Sequence, residues 1–155
     1  MLGDQPVPER QLISYAAITA VLAQEIPTYV SEQLLHILLQ PHISPVALVF
    51  LPRLRILKKG RYLRRWARRL REAGILPEDA MIVSHASFGL DEEAELFGAE
   101  VVVTTDYALK ARYEQQFPLL SRRFQRMTSQ LVEPYQSATL PAILTPEEML
   151  ELLLS

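Results

Sequence analysis

Two aspartates in this 155-residue chain stand where carboxylates can do chemistry. Asp79 follows Pro77 and Glu78 at a predicted helix start, and Asp106 follows the β-branched run 101–105. Carboxylates that converge at one edge of a sheet can hold Mg²⁺ or Mn²⁺, because these hard ions prefer oxygen ligands. A metal held in this way can activate a water molecule and neutralise charge on a phosphodiester. The pair therefore predicts a metal site for phosphodiester hydrolysis.

Both aspartates also have ordinary structural explanations. An acid in the first turn of a helix interacts favourably with the helix dipole, which accounts for Asp79. An Asp between a strand and a helix is a common N-cap, which accounts for Asp106. On residue type and position alone, these structural roles are the commoner ones.

A basic segment is the second feature that could bind a ligand. Ten of the sixteen basic residues lie between Arg53 and Arg71, without an acid among them. The predicted helix 61–73 carries an apolar stripe on one face and six arginines on the other: Arg61, Arg64, Arg65, Arg68, Arg69 and Arg71. An arginine fork donates two hydrogen bonds to a phosphate at once, and each neutralised phosphate adds salt-dependent affinity. This face therefore predicts binding to nucleic acid or an acidic partner, with a merely solvated helix face as the alternative.

Other kinds of site find little support in the composition. The chain has no Cys, which removes disulfides, thiolate zinc sites and cysteine nucleophiles and suits a reducing cytoplasm. Its five glycines form no phosphate-binding loop. His85 comes six residues after Asp79, so the two side chains should point away from each other on a helix. The apolar run 12–23 is too short to span a bilayer and lacks a positive leader, so we expect a buried amphipathic helix and a cytoplasmic protein, with a secretory signal as the alternative.

Helices and short apolar strands alternate along the chain and must position these residues. Helices are predicted for residues 8–25, 32–39, 61–73, 77–88, 92–97, 107–116, 119–129 and 146–154. Extended segments are predicted for residues 26–30 and 101–105, the latter covered on both faces, with 45–51 either a strand or a short helix and 130–133 a candidate edge strand. This alternation predicts one α/β domain, a three-layer α/β/α sandwich with a short, mainly parallel sheet. Ligands gather at the carboxyl ends of strands in such sheets, which is where Asp106 is expected.

Two of these patterns together resemble the PIN-domain family. The first is Pro77-Glu78-Asp79-Ala80 at a helix start, and the second is three valines followed by Thr104-Thr105-Asp106. Residues 26–39 are similar to the family's strand followed by a helix. The resemblance covers about residues 8–115 and implies a PIN-like fold in which Asp79 and Asp106 are the third and fourth of about four metal-binding acids. A single PIN-like domain would then fill residues 1–155, with 1–7 an irregular lead-in and 130–155 a C-terminal extension ending in a helix.

The chain departs from the family pattern at the other two acids. The family opens with a strand that ends in an Asp, whereas here Asp4 is the only acid nearby and no strand precedes it. The expected mid-helix acid falls near His36 and Ile37, and a hard ion prefers oxygen to a His nitrogen. Residues 89–97 also lengthen the interval between Asp79 and Asp106.

The resemblance implies a Mg²⁺- or Mn²⁺-dependent endoribonuclease, as a toxin of a toxin–antitoxin system or in a related RNA-processing role. Asp79 and Asp106 would bind the metal, Thr104 and Thr105 would shape the site, and the basic helix would help hold the RNA. The expected partners are RNA and an antitoxin, another protein or a second copy of the chain, without a membrane. The alternative is a catalytically degenerate PIN-like domain that binds nucleic acid or a partner protein.

Overall fold

A computed structural model describes residues 9–31 and 51–155. The described helices are α1 (Glu9–Ala23), α2 (Leu63–Glu72), α3 (Pro77–Phe88), α4 (Tyr107–Thr128) and α5 (Pro146–Leu154). The strands are β1 (Thr28–Ser31), β2 (Leu54–Leu57), β3 (Val101–Val103) and β4 (Ala142–Leu144), and short 3-10 helices occupy Leu51–Arg53 and Tyr135–Ser137. Several features discussed above lie outside the described residues: the predicted lead-in 1–7, the predicted helix 32–39, nearly all of the run 45–51, and Asp4, His36 and Ile37.

The strands form two parallel pairs, which confirms an α/β fold at the coarse level. Thr28 of β1 lies beside Leu54 of β2, and Val101 of β3 lies beside Ala142 of β4. Among residues 9–31 and 51–155 these are two separate two-stranded sheets. Neither β2 nor β4 was expected from the sequence. β2 lies inside the basic segment, and β4 is only three residues long, so neither shows a usable period.

The main core is built from one face of α2 and from the buried residues of α3, which are residue 80 and residues 83–88. Leu63, Trp66 and Leu70 of α2 are fully buried, which confirms the predicted apolar stripe and the core position of Trp66. The Trp66 ring meets Phe124 of α4 edge-to-face, with ring centroids 4.9 Å apart. Gly74 directly follows the end of α2 with a φ of +94°, a left-handed conformation that glycine adopts without strain. This tight turn sends the chain from α2 straight into α3.

Helix α4 contradicts the predicted break before Pro118. A single helix runs from Tyr107 to Thr128 with Pro118 inside it. The proline has no N–H to donate to the carbonyl of residue 114, which is why a break was expected. Buried residues lie at helical spacing on both sides of it: Leu109, Tyr113, Leu120, Phe124 and Met127. Burial of this continuous stripe keeps the helix in one piece despite the missing hydrogen bond.

Three other expectations about local structure were wrong. Residues 92–97 form a turn and not a helix, because Asp91 Oδ1 accepts hydrogen bonds from the backbone N–H groups of Glu93 (2.9 Å) and Glu95 (3.1 Å). Residues 130–133 form a turn after α4 and not an edge strand. β3 stops at Val103 and is only half covered, with Val103 44% exposed.

The first and last described helices pack against each other. Gln24, just after α1, donates a side-chain hydrogen bond to the carbonyl of Leu153 in α5 at 3.3 Å. α5 begins with the expected capping box, in which Thr145 Oγ1 accepts from the Glu148 N–H and the Glu148 carboxylate accepts from the Thr145 N–H. No helix in the part of the chain that the structure describes is long and apolar enough to cross a membrane.

Candidate functional site

Asp79 is the third residue of α3 and is half-buried. The helix starts there because Pro77 occupies its first turn, where a missing N–H costs nothing. The N-cap position is held by Leu76, whose side chain cannot accept a hydrogen bond. Within residues 9–31 and 51–155, the Asp79 carboxylate accepts no hydrogen bond and pairs with no cation. It is therefore a partly desolvated acid whose local role is limited to the favourable interaction with the helix N-terminus.

Asp106 is held more firmly, because it caps α4. Its Oδ1 accepts a hydrogen bond from the Leu109 N–H at 3.0 Å, and its own N–H donates to Thr104 Oγ1 at 3.0 Å. Thr104 is fixed in turn by its N–H, which donates to the Leu144 carbonyl at the end of β4 at 3.0 Å. Thr105 is exposed on the bend between strand and helix. One oxygen of Asp106 thus has the structural role that its position predicts, and Oδ2 has no hydrogen-bond partner in the described chain.

The two aspartates act on each other electrostatically. The pKa of Asp79 is raised from its ordinary value, chiefly by burial, then by the negative charge of Asp106 and then by that of Glu78. The fold thus brings the start of α3 and the residue that follows β3 and Thr104-Thr105 within electrostatic reach of each other. Two like charges at such a place disfavour ionisation of one of them unless a cation joins them.

The donor set suits a hard divalent cation but is small. Carboxylate oxygens are the ligands that Mg²⁺ and Mn²⁺ prefer, and Asp79 and Asp106 supply them. No group of three or more Asp, Glu or His side chains that could hold a metal occurs in the described ranges. His85 is buried on α3 with its Nδ1 2.7 Å from the Met81 carbonyl oxygen, so it has a structural contact of its own.

A stability measurement can test the strain in this pair. A raised pKa in the folded state contributes stability that is fully present below the pKa of an unfolded Asp, about 3.9, and is lost as the pH rises through the raised pKa. At neutral pH the ionised Asp79 therefore lowers the free energy of unfolding, and Asp79→Asn should raise the melting temperature. The gain should disappear at pH 3, where the aspartate is protonated in both states.

Glu78→Gln is the matched control for that experiment. Glu78 lies in the same helical turn but is exposed. Its replacement removes a helix-dipole interaction and the smaller of the two charge repulsions on Asp79, but it leaves the burial of Asp79 and the charge of Asp106 in place. Thermal unfolding followed by circular dichroism at pH 7 and pH 3 compares the two variants with the parent. A lower melting temperature for Asp79→Asn than for Glu78→Gln at pH 7 would show that Asp79 is stabilising where it stands.

The arginine surface lies on the exposed side of α2. We define it as Arg61 with the five arginines of the helix: Arg64, Arg65, Arg68, Arg69 and Arg71. The helix begins at Leu63, two residues later than predicted, and Arg61 lies over the Tyr62 ring at 5.0 Å. Glu72 pairs with Arg68 at 4.0 Å and with Arg123 of α4 at 3.9 Å. The other four arginines of the helix have no ion pair in the described chain, so the surface keeps most of its positive charge.

Sequence reasoning missed a contact beside Asp106. Tyr107, the first residue of α4, donates a hydrogen bond from its hydroxyl to Glu147 Oε1 of α5 at 2.8 Å. This bond brings the starts of the two helices together. No local signal could have found it, because Glu147 has a sufficient explanation as an acid in the first turn of its own helix.

The chain was compared with protein families, curated proteins and solved structures. No protein-family model, curated protein or solved structure matches it. The meaning of the site therefore rests on its own geometry.

Proposed function

We propose that this chain is a PIN-like, three-layer α/β/α domain that hydrolyses RNA phosphodiester bonds with Mg²⁺ or Mn²⁺. The observation that carries the proposal is the electrostatic effect of Asp106, which lies just after β3, on Asp79 at the start of α3: the negative charge of Asp106 helps to raise the pKa of Asp79. Ligands gather at the carboxyl ends of strands in α/β folds. In this proposal the protein acts in the cytoplasm as a toxin or as an RNA-processing enzyme. It binds RNA, and its protein partner is an antitoxin, another protein or a second copy of the chain.

The two carboxylates would hold the ion in different ways. Asp106 keeps Oδ1 on the Leu109 N–H, so Oδ2 is the oxygen that it can offer to a cation. Asp79 can offer both of its oxygens, because neither accepts a hydrogen bond within the described residues. When bound, a divalent cation supplies Lewis-acid activation of water and neutralises charge on the phosphate. Thr104 contributes by fixing the backbone of Asp106 and thus the direction of its carboxylate.

The arginine surface supports a polyanionic substrate. Its unpaired arginines on α2 precede α3 by one short turn, so the positive surface and Asp79 belong to consecutive elements. Each phosphate that an arginine neutralises releases counterions and adds affinity that falls with salt. The acids at the site repel a polyanion, and the arginines offset that repulsion.

A second candidate is a PIN-like domain that binds RNA, or an acidic protein partner, without cleaving it. The specific observation in its favour is that residues 9–31 and 51–155 contain no group of three or more Asp, Glu or His side chains that could hold a metal. The arginine surface fits this candidate equally well, so binding alone does not separate the two.

An RNA-cleavage assay distinguishes the nuclease from the domain that only binds. The purified protein is incubated with single-stranded RNA and Mn²⁺ beside an Asp106→Asn variant, and the RNA is resolved by gel electrophoresis. Cleavage by the parent that the variant loses supports the nuclease. Intact RNA, with binding retained in a filter or anisotropy assay, rejects the nuclease and leaves the binder.

A further inference from the structure

We propose that the groove between α2 and α3 is a nucleotide subsite that receives one base of a single-stranded RNA between Arg64 and Arg71. The inference rests on the proposed function for its choice of ligand, and it concerns binding rather than cleavage. It selects two arginines of the arginine surface and adds Pro77 and Met81, which sequence reasoning did not connect with RNA.

The groove is a cavity of about 240 Å³ between the two helices. It is lined by Arg64, Ala67, Arg71, Pro77 and Met81. Arg64, Ala67 and Arg71 follow one another at spacings of three and four, so they form one stripe along α2. Pro77 and Met81 are four residues apart and form the facing stripe of α3. The walls are thus apolar, with a guanidinium toward each end.

Charge complementarity identifies the occupant as part of a polyanion. Arg64 and Arg71 are seven residues apart, about 10 Å along the helix axis. Both side chains are exposed, and neither forms an ion pair in the part of the chain that the structure describes. Two unpaired guanidinium groups at that separation can contact phosphates of one strand or stack on the face of a base.

The apolar walls argue for a nucleotide over other anions. An acidic peptide or free phosphate would use the arginines and leave the Pro77 and Met81 side chains in water. A nucleobase has apolar faces that fit between such walls, while its phosphates reach the arginines. Bases of a duplex are stacked and paired, so only a single strand can place one in the groove.

The position of the groove relative to Asp79 determines which nucleotide it can receive. Pro77 and Met81 each lie two residues from Asp79, which puts them on the opposite side of the first turns of α3. A strand that leaves the groove must cross the start of this helix, roughly 10 Å wide, to bring a phosphate to Asp79. The base in the groove would therefore belong to a nucleotide near the cleaved bond and not at it.

The first arm of the test compares two pairs of arginines on the same helix. Affinity of the full chain for a fluorescent six-nucleotide oligouridylate is measured by anisotropy in EDTA, so that cleavage cannot interfere. Arg64→Gln with Arg71→Gln should weaken binding about tenfold, whereas Arg65→Gln with Arg69→Gln should weaken it no more than about threefold. Equal losses would show a diffuse basic surface and overturn the proposal.

The second arm tests the base. Met81→Ala should weaken binding of the oligouridylate about fivefold, and leave binding of an abasic six-unit strand of the same charge unchanged. Ile82→Ala is the control, because Ile82 is an apolar residue of the same helix, 39% exposed and outside the groove. Melting temperatures establish that each variant is folded. Equal loss for both strands, equal loss in the control, or no binding by the parent would each overturn the subsite.

The outcomes separate the subsite from the nuclease. RNA cleavage without selective dependence on Arg64, Arg71 and Met81 leaves the nuclease standing and rejects the groove. Selective binding in the groove without cleavage under Mn²⁺ rejects the nuclease and leaves the groove.

Discussion

Asp106→Asn is expected to lower Mn²⁺-dependent RNA cleavage by about 100-fold or more while leaving the fold intact. Residues that merely support a metal ligand already cost about 10–100-fold when they are changed, so loss of a ligand should lie at or beyond the upper end. Asparagine is as good an N-cap as aspartate, and its Oδ1 can still accept from the Leu109 N–H. The substitution therefore removes the negative charge and keeps the structural role.

Asp91→Asn is the matched control for this loss. Asp91 also accepts backbone hydrogen bonds through Oδ1, from Glu93 and Glu95, but it belongs to the turn after α3 and not to the carboxylate pair. Initial rates with single-stranded RNA and Mn²⁺ are compared at equal protein concentration, with melting temperatures measured alongside. Similar rates for Asp106→Asn, Asp91→Asn and the parent would remove Asp106 from any catalytic role.

Asp106→Ala removes both the N-cap and the negative charge, whereas Asp106→Asn removes the charge alone. Comparing the two variants therefore distinguishes the contribution of the cap from that of the charge. Asp106→Ala should lose RNA cleavage to the same extent as Asp106→Asn. It should also lose about 1 kcal/mol of stability, because alanine cannot cap the helix. A stability loss of that size in the Asn variant as well would mean that the carboxylate charge itself holds the start of α4.

Pro118→Ala is expected to raise the free energy of unfolding by about 2 kcal/mol. A proline inside a helix lowers the free energy of unfolding by about 3 kcal/mol relative to alanine. Because proline also restricts the unfolded chain, it offsets roughly 0.4–1 kcal/mol of that loss. Pro118 is exposed, so alanine gives up no core contact. Alanine also supplies the N–H that the interior of α4 lacks at this position. For a chain of this length the melting temperature should rise by about 4–8 °C.

Urea unfolding of Gln115→Ala provides the comparison for that gain. Gln115 is an exposed residue of the same helix, and its change should alter stability by only a few tenths of a kcal/mol. A Pro118→Ala variant no more stable than the parent would indicate that α4 consists of two helical segments in solution. The prediction thus also tests the continuity of the helix.

The sequence predicts best those elements whose ends are set by local chemistry. Pro77 and the capping box at Thr145 start α3 and α5 where expected, since a helix start depends on a few consecutive residues. β4 and the passage of α4 through Pro118 escape prediction, because they depend on residues far away in the chain. β4 exists through its pairing with β3, and α4 continues because the same core buries it on both sides of the proline.

The candidate site divides in the same way. The rule about the carboxyl ends of parallel strands predicts the position of Asp106 alone, because only Asp106 follows a strand. Asp79 starts α3 after a helix and a turn, so its distance from Asp106 depends on how α3 packs against β3. The groove beside Met81 depends on how two helices pack, which the apolar periods of α2 and α3 do not specify. No sequence signal distinguishes Met81 from an ordinary core methionine.

The pairing of β3 with β4 bears on when the site can form during synthesis. In the described chain β4 is the only strand that pairs with β3, and Leu144 at its end accepts the hydrogen bond that fixes Thr104 beside Asp106. A ribosome that has just added Val132 has therefore made both aspartates but not the strand that orients one of them. The hydrogen bond from Thr104 to Leu144, which supports Asp106, can form only after β4 has been made and is free to pair with β3. Under the proposed function, Asp106 would lack this support for as long as the growing chain ends before β4.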